Sequence, residues 1–488
     1  MKITVLSFFF FIVCSETAVI AQPCSCHQLL DSLIEKVETD YAGYIHKVKE
    51  PGNSGYENFK KALRTKSQKV TFTDCYKILV SYTRFFNDGH LFIVESPDYS
   101  PAQVDSLYRL VKHFPVPDNY GDVLKKQAVK DSLEGIWKDA YNEQIAIVRK
   151  SENLFYGVIQ QTTIPRWEPG MVKIEFERVK DNQYDITYYR SDFARIRFTD
   201  AHIYKHVFLP FGGYRLAKVT PHNSEINYVN LTNPNLPVIK IIDKKNILLT
   251  IPSALIDRKY LDSLLDKYGA FIKTTPNLII DLRGNTGGNY IWGKLLDIGN
   301  TIVYPTPAKA NEDEFLMLAS DDDAVYVKDR IAPYSDKSDT AAANYYDNLV
   351  GRIKSNIGKI IGFSFYNSGP DTAKRIVYEY PSHISIIIDK GVASAAEAFI
   401  LEMKETSSKV TLYGNNSQGE IDYMNVNTIP FGGRGNNVYY LGYPTFFSKD
   451  IKTHPLNPTG IKPDIYITAD VPDWVQWVVR DIKVKFKD

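Results

Sequence analysis

The sequence predicts an α/β protein with a largely parallel sheet in its C-terminal half, and three short apolar runs carry this prediction. The runs are Ile247 to Ile251, Leu278 to Leu282 and Ile384 to Asp389. Helical patterns lie between and after them, near residues 257–274, 290–299 and 394–405. Continuous apolar strands that alternate with helices are typical of a parallel sheet covered on both faces.

The rest of the chain divides into regions of different texture. Helical spacing of apolar residues predicts a helical region over 22–112. Short alternating runs, bounded by Gly, Pro, Asn or Asp, predict a β-rich module over 113–244. We place the α/β core at 245–470, with a lid-like insertion at 303–383, and a C-terminal helix or tail at 471–488.

Composition limits the classes of protein to which the chain can belong. Hydrophobic residues make up 44% and charged residues 24% of the 488 residues, which is the balance of a folded globular protein. Lys plus Arg number 58 and Asp plus Glu 57, so the formal net charge is +1. Nucleic acid is therefore not expected as the main partner, because phosphate binding needs a clustered basic excess.

Residues 1–21 have the pattern of an export signal. Lys2 supplies the positive charge, Ile3 to Val13 the apolar stretch, and Ala21 ends a small-residue cleavage site. The run is too short to span a bilayer, so no integral membrane segment is expected after cleavage. We expect export to the periplasm, the cell envelope or the exterior. A lipoprotein anchored at Cys14 is the second interpretation.

Export also changes how the cysteines are interpreted. In an oxidising compartment we expect one of Cys24 and Cys26 to pair with Cys75, and we assign Cys26. A Cys-Ser-Cys metal site is the alternative, but no His or Cys cluster at ligand spacing lies nearby. The triple aspartate at 321–323 lacks the ligand spacing of a calcium loop, so a solvated surface loop is expected. The sequence predicts no metal and no cofactor.

A glycine-rich turn follows the second apolar run, in residues 278–289 (LIIDLRGNTGGN). Such a turn lets the backbone approach a ligand closely and presents unpaired N–H donors. A phosphate cradle and a hole for a developing oxyanion both fit, as does an ordinary strand-to-helix turn. The turn lacks the Gly-x-Gly-x-x-Gly order of a dinucleotide site, and no Gly-Lys-Ser/Thr follows.

A serine stands where the third run leads into a helix, in residues 386–399 (IIIDKGVASAAEAF). A nucleophilic hydroxyl at Ser394 would lie at the end of a rigid strand, beside backbone donors. The alternative is structural, because Ser394 and Glu397 have the spacing of a capping box that satisfies the first N–H groups of a helix.

A histidine follows the apolar helix of the N-terminal region, in residues 85–92 (FFNDGHLF). His90 lies in a turn, directly after Asp88 and Gly89. A turn that holds an imidazole near the surface suits a general base, although a lone histidine is more often structural.

These three segments, together with residues 460–464 (GIKPD), resemble in their order the S41 family of serine peptidases. That family includes the tail-specific or carboxyl-terminal processing proteases and the tricorn core protease. The resemblance covers about 245–470 and reaches back weakly to His90. It implies a crotonase-like (ClpP/crotonase-type) α/β core that hydrolyses protein or peptide substrates.

The resemblance assigns roles position by position. Ser394 matches the nucleophile, and His90 matches the base of the tricorn-like branch. The backbone N–H of Ala395 and that of either Gly287 or Gly288 match the oxyanion donors.

The resemblance also shows two departures. In the tail-specific branch the base is a lysine in a Thr-x-Gly-Lys turn, and the matching turn here, residues 417–420 (SQGE), ends in Glu420. The chain is therefore closer to the tricorn-like branch. In that branch an acid completes the site, and Asn457 stands at its position. Glu420 and Glu397 are candidates for the orienting carboxylate, and an asparagine orienter is the alternative.

The sequence thus predicts a secreted serine endopeptidase that uses Ser394 and His90. The β-rich module shows no Gly-Leu-Gly-Phe-like loop of a PDZ domain, so capture of a substrate C-terminus is not assumed. An inactive peptidase-fold protein that binds or scaffolds at the cell envelope is the alternative. Acyl-thioester chemistry, which the crotonase-like core also serves, is a third and less favoured interpretation because the chain is expected to be exported.

Overall fold

The computed structural model describes residues 25–486 with fourteen gaps. The residues left out inside that range are 73, 128–130, 140, 181, 205–206, 210–214, 222–227, 229, 231–232, 305–314, 335–338, 367–373, 435–436 and 469. The expected signal at 1–21 therefore lies outside the described residues, as do Cys14 and Cys24. No helix in the described part combines the length and apolar character that a membrane crossing needs.

The N-terminal region is a set of helices joined by a disulfide. Its elements are α1 Cys26–Asp40, α2 Ala42–Tyr44, a π-helical turn Ile45–Lys49, α3 Ser54–Ser67, α4 Cys75–Arg84 and β1 Phe92–Pro97. Leu29, Leu33 and Val37 follow helical spacing on α1 and are fully buried. Cys26 and Cys75, the first residues of α1 and α4, form a disulfide with Cα atoms 5.3 Å apart.

The β-rich module is an eight-stranded antiparallel sheet that closes on itself. Two helices precede it, α5 Pro101–Arg109 and α6 Tyr120–Lys126. The strands are β2 Gly135–Lys138, β3 Gln144–Arg149, β4 Leu154–Gln161, β5 Val172–Lys180, β6 Gln183–Tyr189, β7 Arg195–Tyr204, β8 Val207–Leu209 and β9 Leu216–Thr220. Each pairs with the next, and β9 also pairs with β2. Trp137, Phe155 and Phe176 are fully buried in its core.

The C-terminal half contains the expected parallel sheet, which confirms the α/β prediction. Its six strands, in spatial order, are β10 Val238–Ile241, β11 Asn246–Thr250, β12 Asn277–Asp281, β15 His383–Ile388, β16 Val410–Gly414 and β19 Ile465–Tyr466. All neighbours are parallel except β10 and β11. The helices of this half are α7 Arg258–Ile272, α8 Gly293–Gly299, α11 Ala395–Thr406 and α12 Trp474–Lys485. The first three pack with one face of the sheet and α12 with the other.

A five-stranded sheet connects the insertion to the N-terminal region. The insertion contains β13 Phe315–Leu318, α9 Asp321–Tyr326, α10 Thr340–Lys354 and β14 Ile360–Phe363, and two long strands follow later, β17 Tyr423–Arg434 and β18 Asn437–Ser448. The sheet order is β1-β18-β13-β14, with β17 paired to β18. Tyr439, Leu441 and Tyr443 of β18 are fully buried in the same core as Leu29 of α1. One core therefore spans both ends of the chain.

The expected solvated loop at the triple aspartate is wrong, because these residues form the first turn of α9. The Asp323 N–H donates to the Ser320 side chain at 3.1 Å, which caps the helix. Asp323 is fully buried and accepts a 2.9 Å hydrogen bond from the Tyr443 hydroxyl. Asp322 forms an ion pair with Lys36 of α1. The partners that bury this turn come from distant parts of the chain.

Asp40, the last residue of α1, makes the stability of the contact between α1 and α9 depend on pH. Burial, and secondly the charge of Asp322, raise the pKa of Asp40 from 3.8 to about 7. Between these values the native state keeps a proton that the unfolded chain has released, so stability falls as pH rises. The free energy of unfolding of Asp40→Asn, relative to that of the wild type, is therefore expected to rise by about 1–3 kcal/mol between about pH 4 and pH 8.

Urea unfolding of the two proteins at both pH values measures this gain. Asp31→Asn, on the same helix but half-exposed, controls for the substitution itself. A difference between Asp40→Asn and the wild type that does not change with pH would contradict the prediction.

Candidate active site

The glycine-rich turn and Ser394 meet at one edge of the six-stranded sheet. They follow β12 and β15, which are adjacent parallel strands with Asp281 opposite Ile387. The carboxyl ends of these strands open at the same edge, which is where α/β sheets bind ligands. The turn that carries His90 reaches this edge from the N-terminal region, because the Gly89 N–H donates to Glu420 Oε2 at 3.0 Å.

The backbone of Ser394 is strained in a way that helix capping does not require. Its φ of 55° and ψ of −124° lie where residues other than glycine are rarely found. Ser25 and Ser100, which cap α1 and α5 in capping boxes, have the extended backbone usual for that role. A serine in a sharp, strained turn between strand and helix is the geometry of a nucleophile elbow.

Glu397 is fully buried and joins the turn that carries Ser394 to the turn at 417–420. Its carboxylate accepts four hydrogen bonds, whose donors are the Ser394 N–H (3.0 Å), the Ser417 hydroxyl (2.5 Å), the Gly419 N–H (2.7 Å) and the Glu420 N–H (2.8 Å). Burial raises the pKa of Glu397, although these donors act in the opposite direction. The side chain thus fixes the turn at 417–420 against Ser394, and its carboxylate bonds go to these groups instead of the imidazole.

The glycine turn supplies one free backbone donor beside Ser394, and the helix supplies another. The Gly287 N–H is occupied, since it donates to Asn285 Oδ1 at 3.0 Å. Within the described residues, the N–H groups of Gly288 and Ala395 have no hydrogen-bond acceptor. Of the two glycines that the sequence left open, Gly288 therefore has the N–H available to an oxyanion.

Gly287 is required by space as well as by backbone conformation. Its φ is +88°, and a Cβ at this position would lie 2.8 Å from Ser394 Cβ and 2.8 Å from the Ala395 nitrogen. Both distances are shorter than real Cβ contacts allow. The glycine turn therefore packs directly against the first residues of α11.

His90 has its ring fixed by a backbone carbonyl. Its Nδ1 lies 2.7 Å from the Tyr423 oxygen, and because a carbonyl only accepts, Nδ1 carries the proton. Nε2 is left with the lone pair that a general base needs. The turn is held by Asp88, which accepts from the His90 N–H at 2.9 Å and from the Tyr41 hydroxyl at 2.6 Å.

Glu420 lies beside this histidine. One ligand atom from each of Asp88, His90 and Glu420 lies within 4.8 Å of the other two. Burial, and secondly the charge of Asp88, raise the pKa of the Glu420 carboxyl to about 8. Lys47 is near this pair of acids, but its Nζ donates to the Phe86 carbonyl at 2.8 Å, and burial lowers its pKa.

The structure links His90 to Ser394 through acids instead of joining them directly. Gly89 donates to the Glu420 carboxylate, the Glu420 N–H donates to Glu397, and Glu397 also accepts from the Ser394 N–H. No hydrogen bond between the Ser394 hydroxyl and the imidazole occurs in the described part of the chain. Catalytic hydrogen bonds often tighten only when substrate is bound.

Asn457 reaches the histidine turn but not the histidine ring. Its side-chain amide donates to the Asn87 carbonyl at 3.4 Å. Its backbone N–H donates to the buried Asp422 at 2.8 Å. An orienting acceptor for His90 is thus supplied by Tyr423 O, which no sequence motif indicated.

Arg215, directly before β9 of the closed sheet, also contacts this edge of the six-stranded sheet. It is buried, and its Nη2 donates to the Gly284 carbonyl at 3.0 Å. Burial lowers the pKa of Arg215 to about 9, which the charge of Asp389 partly offsets. Asp389 Oδ1 accepts from the N–H groups of Gly284 and Gly391, both at 2.9 Å, and so joins the glycine turn to the serine turn.

One edge of the sheet thus carries the groups that a serine hydrolase needs. They are a serine with a strained backbone, two amide N–H groups without an acceptor, and a histidine whose tautomer is fixed. Residues 247–467 match peptidase family S41, which confirms the resemblance drawn from the motifs and supports a serine peptidase. A match to a peptidase family also implies protein substrates. No curated protein sequence matches the chain.

The chain is also similar to solved structures. Mature CPAF complexed with lactacystin has a TM-score of 0.50 at 13% identity, covering 94% of this chain and 98% of that one. A putative peptidase from Parabacteroides merdae has a TM-score of 0.39 at 10% identity, covering 94% and 96%. At these identities the CPAF likeness concerns the α/β fold alone.

Proposed function

We propose that this chain is an exported serine endopeptidase in which Ser394 is the nucleophile and His90 the base. The observation that carries the proposal is the left-handed backbone of Ser394 beside two N–H groups without an acceptor. A serine that only capped α11 would have the extended backbone seen at Ser25 and Ser100. A strained backbone lowers the stability of the fold, and such strain is found mostly at functional sites.

The reaction follows from this placement. His90 Nε2 takes the proton of the Ser394 hydroxyl as its oxygen attacks the peptide carbonyl. The N–H groups of Gly288 and Ala395 donate to the oxygen that becomes negative. The imidazolium then gives its proton to the leaving amine, and a water molecule hydrolyses the acyl-enzyme through the same base.

Asp88, which is buried next to His90, stabilises the imidazolium in this scheme. Glu420 lies in the same cluster, but its pKa of about 8 makes it a weaker source of negative charge near neutral pH. The Tyr423 carbonyl keeps the ring in the tautomer that leaves Nε2 free. This arrangement replaces the acid whose usual position holds Asn457.

The export part of the proposal is supported by the first 21 residues and by the disulfide. Lys2, the apolar stretch and Ala21 have the pattern of a cleavable signal. The Cys26–Cys75 disulfide is of the kind that persists in oxidising compartments.

A fluorophosphonate probe, which reacts only with activated serines, tests the nucleophile. The full chain is labelled and digested, and the modified residue is located by mass spectrometry. Label is expected on Ser394 and not on Ser25 or Ser100, which serve as internal controls with capping roles. No label, or label spread over several serines, would refute the assignment.

A binding or scaffolding protein on the peptidase fold is the second candidate. Asn457 at the position of the usual acid, and the missing Ser394–His90 hydrogen bond among the described residues, favour it. The two candidates predict opposite results with the probe, since an inactive serine is not labelled.

A further inference from the structure

The Asp88–His90–Glu420 cluster has the donor set of a metal site, and three features of its surroundings suit a cation. We propose that it binds one Zn²⁺ ion and that the bound ion blocks His90, so that zinc holds the peptidase inactive. This regulatory role rests on the proposed function; the metal site itself does not.

The first feature is the spacing and chemistry of the donors. One ligand atom of each residue lies within 4.8 Å of the other two. Two carboxylates and an imidazole are a common ligand set for zinc, which leaves a fourth position for water. The nitrogen ligand favours zinc over Mg²⁺ and Ca²⁺, which prefer oxygen.

The second feature is the set of groups that hold each donor from outside the cluster. Metal-binding histidines usually donate their other ring N–H to a carbonyl or carboxylate, and His90 donates Nδ1–H to Tyr423 O at 2.7 Å. Asp88 accepts from the Tyr41 hydroxyl at 2.6 Å, and Glu420 from the Gly89 N–H at 3.0 Å. These hydrogen bonds restrain the three donors before any ion binds.

The third feature is that no lysine or arginine of the described residues occupies the position beside the two carboxyl groups. Asp88 is buried and Glu420 half-buried, yet neither forms an ion pair with a lysine or arginine in the described part of the chain. Lys47, the cation that acts on both, instead directs its Nζ to the Phe86 carbonyl. A divalent cation would therefore meet no competing ion pair at these two carboxyl groups.

Zinc on this cluster would compete directly with catalysis. The lone pair on Nε2 that accepts the serine proton is the same one that a metal takes, and an imidazole cannot do both. Occupancy of the site and activity of Ser394 are therefore expected to be mutually exclusive.

Calorimetric titration with ZnCl₂ tests the site without any assay of activity. The full chain carries Cys14→Ser and Cys24→Ser, so that no thiol outside the disulfide binds zinc, and is first stripped with EDTA. One ion per chain is expected. Glu420→Gln and His90→Ala should each weaken binding at least about tenfold, as loss of a ligand does, whereas His454→Ala, an exposed histidine elsewhere, should leave it unchanged.

Circular dichroism establishes that each variant is folded before titration, and the two ligand variants are independent of one another. No zinc binding by the folded wild type, or binding that neither ligand variant weakens, would overturn the site. Binding by Mg²⁺ or Ca²⁺ as tight as by Zn²⁺ would overturn the assignment of the ion.

The regulatory role is tested separately by the fluorophosphonate labelling rate of Ser394. Zinc should slow labelling in proportion to occupancy, and EDTA should restore it. Unchanged labelling at full occupancy would overturn the regulation but not the site. A metal-free protein that is not labelled would refute the proposed function, while the titration still decides the metal site.

Discussion

Ser394→Ala is expected to lower the rate of peptide hydrolysis on the order of 10⁴-fold or more, because no other group at the sheet edge replaces the nucleophile. The remaining rate should come from the oxyanion donors alone. The N–H of residue 394 still donates to Glu397, so the two turns stay joined. Loss of the capping hydroxyl should cost only about 1 kcal/mol of stability.

Hydrolysis of an unfolded, dye-labelled protein and thermal unfolding measure the two effects. Ser100→Ala is the matched control, because Ser100 caps α5 with the same kind of capping box. Both variants should lose similar stability, but only Ser394→Ala should lose activity. If Ser394→Ala unfolds the protein or retains full activity, the serine is structural.

The meeting of Ser394 and the glycine turn at the sheet edge could be predicted from sequence, because both directly follow predicted strands. The apolar runs became β11, β12 and β15, which are spatial neighbours, so Ser394 and the glycine turn had to meet. The occupied N–H of Gly287 could not be predicted, since it depends on where the Asn285 side chain points. The local sequence predicts which residues form a turn better than it predicts their hydrogen bonds.

The surroundings of His90 lay beyond sequence reasoning. The Tyr423 oxygen that orients the ring is a backbone atom, which every residue has, and it is separated from His90 by 333 residues. The contact between Gly89 and Glu420 spans 331 residues. The grouping of Asp88 and His90 with Glu420 could not be predicted for the same reason, because ligand spacing in sequence reveals only residues that are close in sequence.

The five-stranded sheet and the burial of the triple aspartate could not be predicted, for a related reason. β1 pairs with β18, from the opposite end of the chain, and buried Tyr443 reaches Asp323 of the insertion. Polar residues at helix starts look solvated when only their neighbours in sequence are known. The triple aspartate was misinterpreted on that ground.

His90→Ala is expected to lower hydrolysis at least about a hundredfold, the lower range for loss of a general base. The variant also loses the hydrogen bond from Nδ1 to Tyr423, which should cost about 1 kcal/mol and leave the fold intact. Hydrolysis by His90→Ala and by the control His454→Ala is measured from acid to alkaline pH. The acid limb of the profile, which reports deprotonation of the base, should vanish only in His90→Ala.

The pH profile separates a base from a residue that merely holds the turn. A structural histidine would change the rate by a similar factor at every pH, because the turn would be disturbed whether or not a base is protonated. A full-rate His90→Ala enzyme would defeat the tricorn-like assignment. Lys47 would then be the first base to test, because it is half-buried near Asp88 and Glu420 and burial lowers its pKa toward the range in which an amine accepts protons.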